Sequence, residues 1–252
     1  MINIKDTNSI AVISDIHSNS YALEAVLRHI DARGIKTIVN LGDSLFGPIN
    51  PLQTAQLLID RSDMIHIMGN CDRYLLQDQM ESATFQYVKS LLTPQIEHWL
   101  RSFKKTYIFE DILFCHGTPF ADDVYLLEEV TPFGVIEKSS SALTSELAPI
   151  TQSLIFCGHT HLQKSVWLPD GKWIVNPGSV GLPAYYEDIP YPHAMESMTP
   201  HAKYLTVSRH EHSWRIEHIS LPYDYEQAAH IAAQHGRHDY SHAIQHGKAL
   251  VS

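Results

Sequence analysis

Residues 9–19 read SIAVISDIHSN. An apolar run, Ile10 to Ile13, gives way at once to Asp15 and His17, and Ser18 and Asn19 follow where a helix cap would stand. A short run rich in β-branched residues reads as a buried strand, and Ser or Asn before a periodic segment reads as a helix start. The same pattern recurs four times: KTIVNL (36–41) before GDS, MIHIM (64–68) before GNCD, DILFC (111–115) before HGTP, and SLIFC (153–157) before GHTH. KWIVNPGSVG (172–181) adds a sixth strand that ends in a Gly/Pro turn. Near-continuous hydrophobicity in such runs predicts a sheet covered on both faces.

Helical patterns lie between the runs. NSYALEAVLRHIDARG places Ala22, Leu23, Val26, Leu27 and Ile30 on one face, with Gly34 at its end. NPLQTAQLLIDRS carries Pro51 near its start, and residues 82–103 read as two helical pieces broken near Pro94. KYLTVSRHEHSWRIEHISL alternates about HEH as a hairpin, and DYEQAAHIAAQHG reads as a terminal helix. Alternating strands and helices predict an α/β fold with helices on both faces. We expect one domain over 1–252, with a C-terminal helical extension from about 224. Two segments, Thr118 to about Ile150 and Leu182 to His201, read as long irregular loops covering a site.

The chain has 252 residues, 44% of them hydrophobic and 18% charged, a globular composition. Its net charge of −10 argues against a general nucleic-acid coat. No segment approaches the ~20 apolar residues of a membrane span, and the N-terminal stretch lacks the apolar core of a secretory signal. Three cysteines, Cys71, Cys115 and Cys157, and no such signal lead us to expect a reducing cytoplasm rather than a disulfide framework. Cys115 and Cys157 read as buried strand residues.

Asp15, His17, Asp43, Asn70, His116, His159 and His161 all fall at or just past the C-terminal end of an expected strand, the edge where open α/β sheets bind ligands. Asp15 and His17 are two apart, as are His159 and His161, and extended alternation would turn each pair to one side. Singly, each would be an ordinary satisfied polar residue. Five clusters in this order instead suggest one pocket for two divalent cations, since mixed imidazole, carboxylate and amide donors suit Mn²⁺, Fe²⁺, Zn²⁺ or Co²⁺ better than Ca²⁺ or Mg²⁺. One carboxylate could bridge both ions.

The order SDIHSN, GD, GNCD, HG, GHTH resembles the calcineurin-like metallophosphoesterase superfamily, over about Ser9 to Gly181. The resemblance implies a four-layer α/β/β/α sandwich of two mixed β-sheets flanked by helices. It implies that Asp15, His17 and His161 hold one metal, that Asn70, His116 and His159 hold the other, and that Asp43 bridges them. Asp43, Asn70 and His116 would then also serve catalysis. The cofactor would be two divalent ions, manganese first, with iron, zinc, nickel or cobalt as alternatives. The reaction would be hydrolysis of a small phosphate ester by metal-bound hydroxide, most simply a phosphodiester of nucleotide-like size. Alternatives are a phosphomonoesterase, a protein phosphatase, a dinucleoside polyphosphate hydrolase, or a scaffold like the retromer subunit of the superfamily. All seven ligand positions are filled, which favours an enzyme.

Two motifs depart from common patterns. Many relatives have a histidine that protonates the leaving group where Cys71 stands, and GNCD resembles a bacterial and archaeal branch of small phosphodiesterases. Asp72 or a loop histidine such as His193 could supply the proton instead. In GDSLFGP, Phe46, Gly47 and Pro48 replace the DRG of protein serine/threonine phosphatases. NPGSVG (176–181) could offer backbone N–H groups to a substrate anion, and Arg73 could contact phosphate. Tyr185, Tyr186 and Tyr191 could stack on a nucleobase or pack the interface of a homo-oligomer. His235, His238, His242 and His246 share a helical spacing and read as a solvated face.

Overall fold

The structure is a computed structural model and describes residues 9–210 and 213–251. Residues 1–8, Glu211, His212 and Ser252 lie outside the described residues, and with them the HEH centre about which the terminal hairpin was expected.

Two five-stranded sheets form the centre. In the first, β1 (Ser9–Ile13), β2 (Thr37–Asn40) and β3 (Met64–His66) run parallel. The long hairpin β13 (Ala202–His210) and β14 (Ser213–Leu221) extends it antiparallel beside β1. In the second, β5 (Ile112–Phe114), β8 (Leu154–Phe156) and β10 (Trp173–Pro177) are parallel. Antiparallel edges β4 (Tyr107–Phe109) and β9 (Gln163–Trp167) flank them.

Side-chain alternation decides how the sheets stack. Ile10 and Val12 of β1 face the second sheet and pack with Val39, Phe114, Phe156 and Val175. Ala11 and Ile13 point the other way, onto Leu23, Val26 and Ile30 of helix α1 (Ser20–Ala32). The second sheet repeats this: Leu113, Ile155 and Ile174 turn outward onto Leu143 of α6 (Ser140–Glu146) and onto Leu147. Both faces of each sheet are therefore apolar, as the continuous runs led us to expect, and the layers are α/β/β/α, as the family resemblance implied.

Helices α2 (Pro51–Ile59), α4 (Ala83–Leu91) and α5 (Pro94–Arg101) pack round Leu45, Leu75 and Phe103, with the break at Pro94 where it was expected. The short α3 (Asn70–Leu75) begins inside GNCD. Helices α7 (Tyr225–Gln234) and α8 (His238–His246) form a satellite core with Ile49, Leu182 and Ala184. The two expected irregular loops are largely ordered. Residues 118–150 contain the hairpin β6 (Glu128–Thr131) and β7 (Gly134–Glu137) besides α6. Residues 182–201 contain the hairpin β11 (Ala184–Glu187) and β12 (His193–Glu196). Proline and tyrosine content obscured a strand period only four residues long in each arm. Among the described residues, no helix is long and apolar enough to cross a membrane.

Candidate metal centre

The C-terminal ends of β1, β2, β3, β5 and β8 meet at one place, where the two sheets' parallel strands open toward the same edge. The exit loops are stitched together by backbone bonds. Asp15 N donates to Gly42 O, and Ile16 N and His17 N both donate to Asp43 O, each at 3.0 Å. The paired residues do not converge by extended alternation. Asp15, His17, Asp43, His159 and His161 all have positive φ, between 47° and 69°. Such a conformation is uncommon for a residue with a Cβ and persists only where surrounding contacts enforce it. Left-handed turns, rather than strand pleating, therefore aim these side chains inward.

All seven sequence-predicted residues are brought together. Donor atoms of Asp15, His17 and His161 lie within 4.8 Å of one another, as do those of Asp43, His116 and His159. Asp43 lies between the groups, with His17 Nε2 3.7 Å from one carboxylate oxygen and His116 Nε2 3.4 Å from the other. Asn70 Oδ1 faces His116 Nε2 at 3.1 Å.

The second layer of contacts fixes the tautomers. His17 Nδ1 is 2.7 Å from Phe46 O, His116 Nδ1 is 3.0 Å from Leu41 O, and His161 Nδ1 is 2.6 Å from Leu182 O. A carbonyl can only accept, so each Nδ1 donates and each neutral ring turns a bare Nε2 lone pair to the centre. His17 Nε2 and His161 Nε2 then face each other at 3.2 Å, acceptor to acceptor, and His116 Nε2 meets the Asn70 oxygen in the same way. Asp15 Oδ1 is fully buried with no hydrogen-bond partner, 3.3 Å from the same His161 nitrogen. Lone pairs collected out of water repel unless a cation sits among them. This donor set therefore fits divalent metal ions.

With no cation among these groups, a proton held on His116 takes its place. Burial disfavours charge on Asp43, but His116 and then His17 outweigh it and hold its carboxyl well below the usual range. Burial pulls His116 down, yet the Asp43 carboxylate overrides it and lifts the ring to about 10. Burial, then neighbouring His116, drops His159 to about 4.

Asp72 lies one shell out. Its carboxylate accepts N–H bonds from Asp43 at 2.8 Å, Ser44 at 2.9 Å and Gly69 at 3.2 Å. Burial, then the charge on Asp43, raises it to about 7, with the Ser44 and Gly69 N–H bonds acting the other way. Asp72 is wholly buried and bonded inward, which ties the GD loop to the GNCD loop and leaves it no path to a leaving group. The Cys71 N–H donates to Asp43 Oδ1 at 2.9 Å. Burial, then the Asp43 charge, pushes the Cys71 thiol far up, so it holds its proton.

Several candidate roles are corrected. Arg73 forms a bidentate pair with Asp122, at 2.8 and 2.7 Å, and is not free for a phosphate. The NPGSVG turn is a brace, not an anion cradle. Three of its N–H groups are taken up: Gly178 N by Asn176 Oδ1, Val180 N by Ser14 O, and Gly181 N by Asp15 O. Ser179 Oγ donates to Asp15 O, and Asn176 Nδ2 to Gly158 O, so the turn buttresses both metal-side loops. The four C-terminal histidines do not share a helix. His235 caps α7 and bonds Pro48 O, whereas the other three lie on α8.

The sequence reading missed Tyr125. It lies between two elements that local pattern did not connect, with its ring 4.8 Å from that of His159 and its hydroxyl 2.6 Å from Tyr185 Oη. The one available signal was its place between the HGTP and GHTH motifs.

A profile of the Calcineurin-like phosphoesterase superfamily domain matches residues 9–195. An uncharacterized protein of Methanocaldococcus jannaschii is 29% identical over 199 residues, 69% of this chain and 76% of the relative. A metallophosphoesterase from Sphaerobacter thermophilus superposes with a TM-score of 0.70 at 20% identity, covering 92% of this chain and 99% of that one. A hypothetical protein from Pyrococcus horikoshii also gives 0.70, at 17% identity, covering 96% and 99%. These two likenesses concern the fold, with its paired mixed sheets. Since the profile spans well over half of the chain and takes in all five strand-end motifs, the chain belongs to the calcineurin-like phosphoesterase superfamily, whose members use divalent metals.

Proposed function

We propose that the chain is a metal-dependent phosphodiesterase acting on small, nucleotide-like phosphate esters. Asp15, His17 and His161 would hold one ion, and Asn70, His116 and His159 the other, with Asp43 shared. The observation that carries this is the set of buried lone pairs aimed at each other across the centre. A pair of divalent cations, when bound, supplies charge neutralisation and an activated water for in-line displacement at phosphorus. Manganese suits the mixed imidazole and oxygen donors; iron, zinc, nickel or cobalt would also fit.

The protein's own residues supply positioning. Carbonyls at Leu41, Phe46 and Leu182 hold three imidazoles in one tautomer, and the three N–H bonds to Asp72 fix the loop that presents Asp43. The aromatic wall of Tyr125 and Tyr185 beside His159 and His161 bounds the pocket on one side, which supports a substrate with a flat or apolar leaving group. The free thiols of Cys71, Cys115 and Cys157 support a cytoplasmic location. Exposed Ile189 and Tyr191 on the β11–β12 hairpin support a homo-oligomer.

The test is hydrolysis of an aryl phosphodiester beside the matching monoester, by protein stripped of metal and reloaded with Mn²⁺. Mn²⁺-dependent preference for the diester is expected. Preference for the monoester would move the protein to the phosphatases, and no turnover with two ions bound would favour a metal-retaining scaffold.

A further inference from the structure

The two C-terminal helices carry a second group of metal-binding side chains, none of them among the seven of the metal centre. Helices α7 and α8 share one apolar core, where Ala229 and Ala232 of α7 meet Ala243 and Ile244 of α8. On their outer side lies a groove of about 520 Å³. Tyr225, Glu226 and His230 of α7 line it on one side, and Ser241, Gln245 and His246 of α8 on the other. His242 stands one turn before His246 on α8.

His242 and His246 are four residues apart on one helix, and so are Glu226 and His230 on the other. That spacing puts two side chains on the same helix face, one turn apart. It is also the spacing at which two histidines of one helix hold a zinc ion. The geometry of the α8 pair agrees with it. An ion about 2.1 Å from one nitrogen of each ring sets the two ring centres about 5 Å apart. The rings of His242 and His246 are 4.6 Å apart. Two imidazoles on α8 are therefore spaced for one ion before it arrives.

The opposite wall supplies further donors. The Gln234 amide nitrogen lies 3.0 Å from His230 Nε2 and can only donate, so His230 Nε2 presents a lone pair. An ion in the groove can take that lone pair over from Gln234. Glu226, one turn earlier on the same face, adds a carboxylate. Glu226, His230 and His246 are exposed and His242 is half-buried, so an ion reaches them from solvent without opening the core.

We propose that His242 and His246 of α8, completed by His230 and Glu226 of α7, bind one transition-metal ion that clips the two helices together. Three imidazoles and one carboxylate suit Zn²⁺, Ni²⁺ or Cu²⁺, whereas Mn²⁺ favours oxygen donors. The clip is structural and stands apart from the phosphodiesterase reading. It also gives the C-terminal histidines a use that their spacing on α8 alone does not, because half of the donors come from α7.

Zinc counting on the full-length protein tests this. Wild type and the double variant His242→Gln/His246→Gln are dialysed against the same buffered free Zn²⁺. Wild type should hold one more ion per chain. Both should reload equal amounts of Mn²⁺, since none of the four residues belongs to the metal centre. In a Zn²⁺ titration against a competing chelator, His230→Gln and Glu226→Gln should each weaken the extra site about tenfold. Zn²⁺ should also raise the Tm of wild type further than that of the double variant, because an ion held by both helices binds only the folded chain. Equal zinc counts in wild type and the double variant would overturn the site. An extra ion that neither His230→Gln nor Glu226→Gln weakens would overturn the clip, leaving an adventitious ion on one helix.

Discussion

Gly69→Ala separates the placement of Asp43 from every other feature of the site. Gly69 has φ −87° and ψ 165°, a conformation that any residue adopts, so its backbone does not demand glycine. The demand is steric. A Cβ there would lie 2.1 Å from Asp43 Oδ1 and 2.5 Å from the Asp43 nitrogen. Ordinary contact begins near ~3.5 Å, so the carboxylate must retreat by about 1 Å. Retreat strains the Cys71 N–H bond to Asp43 Oδ1 and pulls that carboxylate away from His116. Overpacking of this kind costs about 1–3 kcal/mol. In a chain of this size that lowers Tm by ~5 °C. A misplacement of about 1 Å at the centre should cost ~100-fold in rate. The assay is Mn²⁺-dependent diester hydrolysis with metal content and thermal melting measured on the same samples. Gly171→Ala is the control: its φ of +91° is strained for alanine, but nothing lies within 4 Å of the added carbon. It should lose about 1 kcal/mol and keep its metals and rate. A Gly69→Ala protein with wild-type metal content and rate would refute the position assigned to Asp43.

Asp43→Asn should lower metal content and remove most of the activity, since one oxygen of a shared carboxylate becomes an amide; retention of both would remove Asp43 as the bridge. Cys71→Ala should cost less than tenfold in rate on a nitrophenyl diester, because the thiol near Asp43 holds its proton and the substitution keeps the backbone N–H that donates to Asp43; a loss as large as that of Asp43→Asn would give the thiol a chemical role. Removing divalent ions with a chelator should lower Tm and Mn²⁺ should restore it, because ions at a hundred times their dissociation constant add about 2.7 kcal/mol; an unchanged Tm would leave the facing lone pairs unexplained. His66 stacks on Phe103 at 4.7 Å, and burial lowers its imidazole to about 3 from an ordinary 6.5. The unfolded chain takes up that proton as pH falls below about 6.5 while the folded chain does not, so stability is complete above that pH and declines toward pH 3. The ceiling is about 2 kcal/mol at pH 5, reduced by the ring's partial exposure. His66→Phe should flatten that part of the acid limb in urea titrations, and an unchanged limb would show that His66 does not contribute to it.

What the sequence determined by itself is the order of chemistry along the chain. Five apolar runs each ending in a polar cluster define the parallel strands, because a strand covered on both faces can be read from local hydrophobicity. Loop residues that follow such strands must lie at the carboxyl edge, so Asp15, His17, Asp43, Asn70, His116, His159 and His161 could all be assigned to one pocket. Tertiary structure decided how they are held. The left-handed turns at Asp15 and His159, and the carbonyl partners of the imidazoles, arise from contacts between distant loops: His161 meets Leu182, and His116 meets Leu41. Arg73 looked free until Asp122, 49 residues on, was placed against it. NPGSVG looked like a ligand loop until its N–H groups were found on Ser14 and Asp15. Tyr125 and His193, 68 residues apart, carry no shared local signal. Local pattern reports which face of an element is apolar; a polar group's partner is set by packing, which places residues far apart in the chain within hydrogen-bond distance.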